Sequence, residues 1–167
     1  MQQASNERAQ GAARESEQLL TFIIDGEEYG VDILRVQEIR SWSNPMPIPN
    51  TPPFIKGVIN IRGDIVAIAD LRERLSLPRL PYGPTTVVVV LHVGQEGQHR
   101  VMGIIVDAMS DVTNVASSAI KPPPVFRDSG SAPLAKGILT LESKMITILD
   151  VDRIFDDAGA SPVALAG

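Results

Sequence analysis

Apolar and polar positions alternate in short runs along most of this chain, and the runs are too short for helices. Leu19–Ile24 leads into Asp25-Gly26, a dipeptide that favours a tight hairpin turn. Tyr29, Val31 and Ile33 then alternate with Gly30 and Asp32, which predicts a strand with one apolar face. Leu34–Gln37 suits a single helical turn, and Glu38–Trp42 resumes as a strand. Pro45, Pro47, Pro49, Pro52 and Pro53 follow; that density of proline excludes a helix and predicts an extended connection. Gly57–Ile61 and Ile65–Ala69 flank Arg62-Gly63-Asp64 as a second hairpin, and Leu71–Leu75 reads as a short helix. Asp70 is its expected cap, with Glu73 at the capping-box position. Thr85–Val93 is β-branched and apolar throughout, as expected of a buried central strand.

The pattern repeats. Lys56-Gly57-Val58-Ile59-Asn60-Ile61 aligns with Lys136-Gly137-Ile138-Leu139-Thr140-Leu141, and the match runs on through Asp70/Asp150 and Leu75/Phe155 at an offset of 80 residues. Gly30/Gly103, Val36/Met109, Glu38/Asp111 and Ile39/Val112 match at an offset of 73. The seven additional residues fit around Lys121-Pro122-Pro123-Pro124. Many short strands in two similar copies predict an all-β chain of two small units. The first is expected over about 19–83 and the second over about 84–150, with a final helical turn at 151–156. Residues 1–18 and 157–167 are polar or Ala-rich and read as tails without fixed structure.

Composition narrows the chemistry. With 167 residues, 44% of them apolar, a packed core is expected. A net charge of −5 and seven aromatics argue against a nucleic-acid groove or base-stacking platform. The absence of Cys removes thiol nucleophiles, disulfides and thiolate metal sites. The longest apolar run, Val87–Leu91, is five residues, so no membrane insertion is expected. No secretory signal precedes the first strand, which predicts a cytoplasmic location. His92 and His99 lack a second ligand at metal spacing, and Ser129 and Ser131 sit in a polar loop with no evident base. Neither phosphate-binding glycine loop nor nucleophile elbow occurs. Glu27-Glu28, Asp150/Asp152 and Asp156-Asp157 read as turns and helix starts. Trp42 suits either a half-buried core position or a partner anchor. No enzyme activity, cofactor or metal is expected, and a non-catalytic adaptor remains.

Five stretches then resemble a known family. Glu27–Arg40 (EEYGVDILRVQEIR), Asn50–Arg72 (NTPPFIKGVINIRGDIVAIADLR), Thr86–Leu91, Met102–Val112 and Ile120–Phe126 are similar in order and spacing to the bacterial chemotaxis coupling proteins, the CheW family. The resemblance covers about 19–156. It implies two five-stranded SH3-like barrels with short helical turns. It also implies a scaffold that couples the cytoplasmic tips of methyl-accepting chemoreceptors to the regulatory domain of the histidine kinase CheA. Such a chain is a monomer when isolated and alternates with the kinase in rings within membrane-associated arrays.

Carried over by position, the resemblance places Glu38 and Arg62 as a charged pair at the first-barrel kinase interface, flanked by Ile39, Arg40 and Gly57. Lys121 and Phe126 match the second-barrel contact to the kinase. Val36, Thr86, Val87, Gly103, Met109 and Val112 match a receptor-binding groove. Val87, Ile39 and Gly57 fit core or turn positions equally well. The dense prolines at 122–124, the polar Gly94–Arg100 loop and the long N-terminal tail depart from the family pattern. An adaptor of a non-flagellar chemosensory pathway, a CheW unit from a longer protein with a receiver domain, and a small-ligand-binding β-barrel are the alternatives.

Overall fold

Ten strands and two one-turn helices account for almost all regular structure in the computed structural model, which describes residues 15–94, 100–124 and 134–155. The strands are β1 (Ser16–Ile24), β2 (Glu27–Asp32), β3 (Val36–Ser41), β4 (Ile55–Ile61) and β5 (Asp64–Asp70), then β6 (Val87–Val93), β7 (Arg100–Val106), β8 (Ala108–Ala116), β9 (Ala135–Leu141) and β10 (Lys144–Leu149). Helix α1 (Leu71–Arg74) follows β5, and α2 (Val151–Ile154) follows β10. The turn expected at Leu34–Gln37 is a 3-10 turn at Ile33–Arg35. Asp70 caps α1 by accepting from the Arg72 amide at 2.9 Å. The capping box stays open, because the Asp70 N–H donates to the Phe54 carbonyl and Glu73 turns to Lys56 and Arg79.

The expected all-β architecture of two five-stranded units is present, but the chain divides differently between them. One sheet has the order β3-β6-β7-β5-β4 and the other β8-β1-β2-β10-β9. Each copy of the repeat therefore gives its first two strands to the other copy's sheet. The expected cut near residue 83 separates the two repeats but not the two sheets. Local patterning cannot reveal this, because a strand's alternation is the same whichever sheet receives it. The repeat is nonetheless exact in register where the exchanged strands dock. Parallel β5–β7 pairs Ile68 with Gly103, and parallel β10–β2 pairs Ile148 with Gly30, the same positions at offsets of 80 and 73.

The exchange explains the five-residue apolar run. Alternate residues of β6 face different cores: Val88 and Val90 pack with Ile61, Val66, Ile68 and Ile105 inside one sheet's curl. Val89, Leu91 and Val93 join Leu20, Phe22, Ile24 and Val31 in a central cluster between the sheets. A third cluster, Leu19, Val115, Leu139, Ile146 and Ile148, fills the other curl. Strands buried on both faces need no polar side, so they read as continuous apolar runs.

Neither sheet closes into a complete barrel ladder. On β4 and β9 one bridge each reaches the segment that follows the opposite edge strand: Met46, after β3, pairs with Val58, and Lys121, after β8, pairs with Ile138. These bridges are also equivalent in the repeat. Glycine is required at both seams. A Cβ on Gly57 would overlap the Met46 carbonyl oxygen and stand 2.5 Å from its carbon, at a φ of +142°. One on Gly137 would stand 2.5 Å from the Ile120 side chain. A further correction concerns the N-terminal tail expected over 1–18: Ser16, Glu17 and Gln18 are in β1, paired with Ala116, Val115 and Asn114. The C-terminal tail expected over 157–167 lies outside the described residues.

Candidate functional site

Glu38 lies on β3 and Arg62 in the turn after β4, on opposite edges of their sheet. The curl of the sheet brings them together: Arg62 Nη2 donates to Glu38 Oε2 at 2.9 Å. The turn that presents Arg62 is held by backbone chemistry. Arg62 takes a left-handed φ of +52°, Gly63 follows at +91°, and the Gly63 N–H donates to Asn60 Oδ1 at 2.8 Å. Gly63 and the Asn60 carboxamide favour this turn and offset the cost of holding Arg62 at positive φ.

The pair is asymmetric. Arg62 is 75% exposed and Glu38 only 19%. Arg40 Nη1 stands 3.6 Å from Glu38 Oε1, an ion-pair distance beyond hydrogen-bond reach. That oxygen is buried without a hydrogen-bond donor. Ile39, between the two charged residues, is 45% exposed although apolar. Glu38, Arg40 and Arg62 thus form one charged patch along the seam, with Ile39 exposed on the opposite face of β3. Gly57 belongs to the seam itself and is buried, so it shapes the patch from beneath.

The repeat supplies an internal comparison. The positions equivalent to Glu38 and Arg62 are Asp111 and Glu142, two acidic residues that cannot pair. Both seams carry the closing bridge, but only one carries the ion pair. Closing a seam therefore does not require the pair.

The other expected contacts disperse. Lys121 is exposed and sits on its seam bridge, with Nζ 3.4 Å from the Ser118 carbonyl. Phe126 lies outside the described residues, as do His99, Ser129 and Ser131. Of the groove residues, Val36, Val87 and Met109 are half-buried and pack on the central cluster. Gly103 is buried, where a Cβ would stand 2.7 Å from Ile68 and 2.9 Å from Val88. Thr86 is buried, and its hydroxyl accepts from the Gly83 amide. Val112 is 46% exposed. Val36 pairs with Leu91 and Ser41 with Val87, so Val36 and Val87 mark opposite ends of the β3–β6 ladder, about 13 Å apart. Among the six, Val36, Val87, Met109 and Val112 therefore keep accessible side chains, while Thr86 and Gly103 are covered. A separate depression of about 630 Å³ lies against Glu17, Asp32, Ile33, Leu34 and Asn114. Trp42 takes its core alternative: it is half-buried, with its ring 4.7 Å from that of Tyr82.

Two Arg–Asp pairs, one around the buried Arg72 and the other half-buried, were not visible in the sequence. Arg72 donates to both oxygens of Asp107, from Nε at 2.8 Å and Nη2 at 2.8 Å, and to the Pro78 carbonyl from Nη1. Arg35 pairs with Asp152, which also accepts from the Gly94 amide at 2.8 Å. The partners are 35 and 117 residues apart in the chain, so no local motif marks them. No group of three or more potential metal ligands occurs among the described residues. No described helix is long and apolar enough to cross a membrane.

Comparison with known proteins places this geometry. Residues 18–159 match the family model of the CheW-like domain. The chemotaxis protein CheW of Klebsiella aerogenes is 41% identical over 138 residues, 83% of this chain and 81% of that one. CheW of Rhizobium meliloti is 33% identical over 138 residues, covering 83% and 86%. The crystal structure of the scaffolding protein TtCheW from Thermoanaerobacter tengcongensis matches with a TM-score of 0.73 at 31% identity, covering 84% of this chain and 92% of that one. With the family model matching most of its length and a solved CheW fold superposing on it, the chain belongs to the CheW-like family of chemotaxis scaffolding proteins.

Proposed function

We propose that this chemotaxis adaptor works without catalysis, coupling the cytoplasmic tips of chemoreceptors to the regulatory domain of the kinase CheA in membrane-associated arrays. The Glu38–Arg62 patch is its first kinase contact. The observation that carries this reading is the asymmetry between the repeats: an ion pair spans one seam, while the equivalent positions on the other, Asp111 and Glu142, are both acidic. The buried Glu38 oxygen without a donor supports it further, because a partner's N–H or cation would satisfy that oxygen on docking. Lys121 and Phe126 form the second kinase contact, at the other seam, and alternation of the two contacts builds the ring. The receptor contact draws on the half-buried Val36, Val87 and Met109 and the exposed Val112.

An ion pair as exposed as this one is worth only about 0.2–1 kcal/mol to folding. Glu38→Arg and Arg62→Glu should each leave the melting temperature within a few degrees of the parent. Each should weaken CheA binding at least tenfold in calorimetry. The double reversal should recover part of the loss where the partner reads the pair as a unit. Single reversals that leave kinase affinity within twofold refute the assignment.

A further inference from the structure

Two crossovers carry the chain from one sheet to the other: 33–35 between β2 and β3, and Asp107 between β7 and β8. Each crossover is clamped to the second residue of a one-turn helix. Arg72 of α1 holds Asp107, and Asp152 of α2 is held by Arg35. Arg72 and Asp152 are equivalent in the repeat, 80 residues apart. The clamps match in a further detail. The Asp107 carboxylate accepts the N–H of Asp25, at the β1–β2 turn, and the Asp152 carboxylate accepts the N–H of Gly94, at the end of β6. Their polarity is opposite. In one the helix supplies the cation and the crossover the anion; in the other the roles are reversed.

This inversion matters because backbone pairing alone does not dictate the exchange. The hairpins β1–β2 and β6–β7 dock on β10 and β5 in the same register, each presenting a glycine at the same place. Either hairpin could in principle dock within its own repeat, giving two contiguous barrels. In that arrangement α1 would meet the crossover of its own repeat, setting Arg72 against Arg35. Helix α2 would meet the other, setting Asp152 against Asp107. Two buried or half-buried like-charge contacts would replace two ion pairs. Like charges in contact are costlier there than a pair, most of all at Arg72, which is 7% exposed.

We infer that the two Arg–Asp clamps, by their opposite polarity, select the exchanged strand pairing over the contiguous one and so fix where the two seams stand relative to each other. The chain has no Cys, so a reporter disulfide can be introduced cleanly. Gln18 and Asn114 are exposed and directly paired between β1 and β8, neighbours only when the strands are exchanged. In a Gln18→Cys, Asn114→Cys background, the protein is unfolded in reducing denaturant, refolded by dilution at low concentration, and oxidised. The cross-linked monomer is then measured on a non-reducing gel. With native clamps it should form nearly completely. Arg35→Asp with Asp152→Arg gives both clamps the same polarity and should lower the cross-linked fraction at least twofold. Adding Arg72→Asp and Asp107→Arg restores opposite polarity and should restore the cross-link. Full cross-linking in the two-residue variant, or no recovery in the four-residue variant, overturns the inference.

Discussion

Replacing Arg72 with Met should lower the melting temperature by about 10 °C at pH 7, corresponding to about 3 kcal/mol for a chain of this size. The Arg72 side chain is only 7% exposed and makes hydrogen bonds to Asp107, Asp25 and Pro78. Methionine keeps much of the volume but leaves the Asp107 carboxylate in place without its cation. The pH dependence follows from the same contact. Burial pushes the Asp107 carboxyl up, but the Arg72 hydrogen bonds, the Asp25 N–H and the Arg72 charge outweigh it and hold the group below its ordinary range. Asp152 is shifted in the same direction, burial being outweighed by the Gly94 N–H and Arg35. A carboxyl whose folded pKa lies below its unfolded value stabilises fully above the ordinary Asp range, near 4, and loses that contribution as pH falls through the folded value. Urea titrations of the parent should therefore be nearly flat from about pH 5 to 7 and fall steeply below about pH 4. The Arg72→Met variant should fall less steeply. A variant melting within 3 °C of the parent would contradict this account of the clamp.

Gly57→Ala should be more damaging than its single added methyl suggests. The new Cβ meets backbone, the Met46 carbonyl, rather than the end of a movable side chain, and the φ of +142° is one that alanine rarely adopts. Relief requires breaking the paired hydrogen bonds between Met46 and Val58, each 2.9 Å, that hold the segment after β3 against β4. The cost should exceed about 3 kcal/mol, at the upper end of what point substitutions do. Kinase binding should fall together with thermal stability, because the patch of Glu38 and Arg62 spans that seam. The outcome separates Gly57 from Glu38, whose reversal should cut binding with little change in melting. Normal stability with lost binding in Gly57→Ala would show that Gly57 touches the partner directly.

Much of the architecture is readable along the chain because it is local. The segments at Lys56–Asp70 and Lys136–Asp150 become β4–β5 and β9–β10. Asp25-Gly26 and Arg62-Gly63 are the turns their residue types suit, with positive φ at all four positions. The Glu38–Arg62 pair was reached through the family resemblance, since no local pattern links residues 24 positions apart. What was hidden is non-local. The exchange of hairpins leaves no trace in hydrophobic periodicity, and the clamps join residues that only the exchange makes neighbours. The burial of Thr86 and Gly103 was hidden for a related reason: a resemblance locates positions, but whether a side chain faces solvent depends on which sheet covers it.

The measurement that bears most directly on the adaptor's role is bridging. A receptor signalling tip is immobilised, and the retained CheA is quantified with and without this chain. Kinase should be retained several-fold more when the chain is present. With Glu38→Arg the chain itself should stay on the receptor while the kinase is lost. Equal retention of the kinase without the chain, or failure of the chain to bind either partner, would contradict the account.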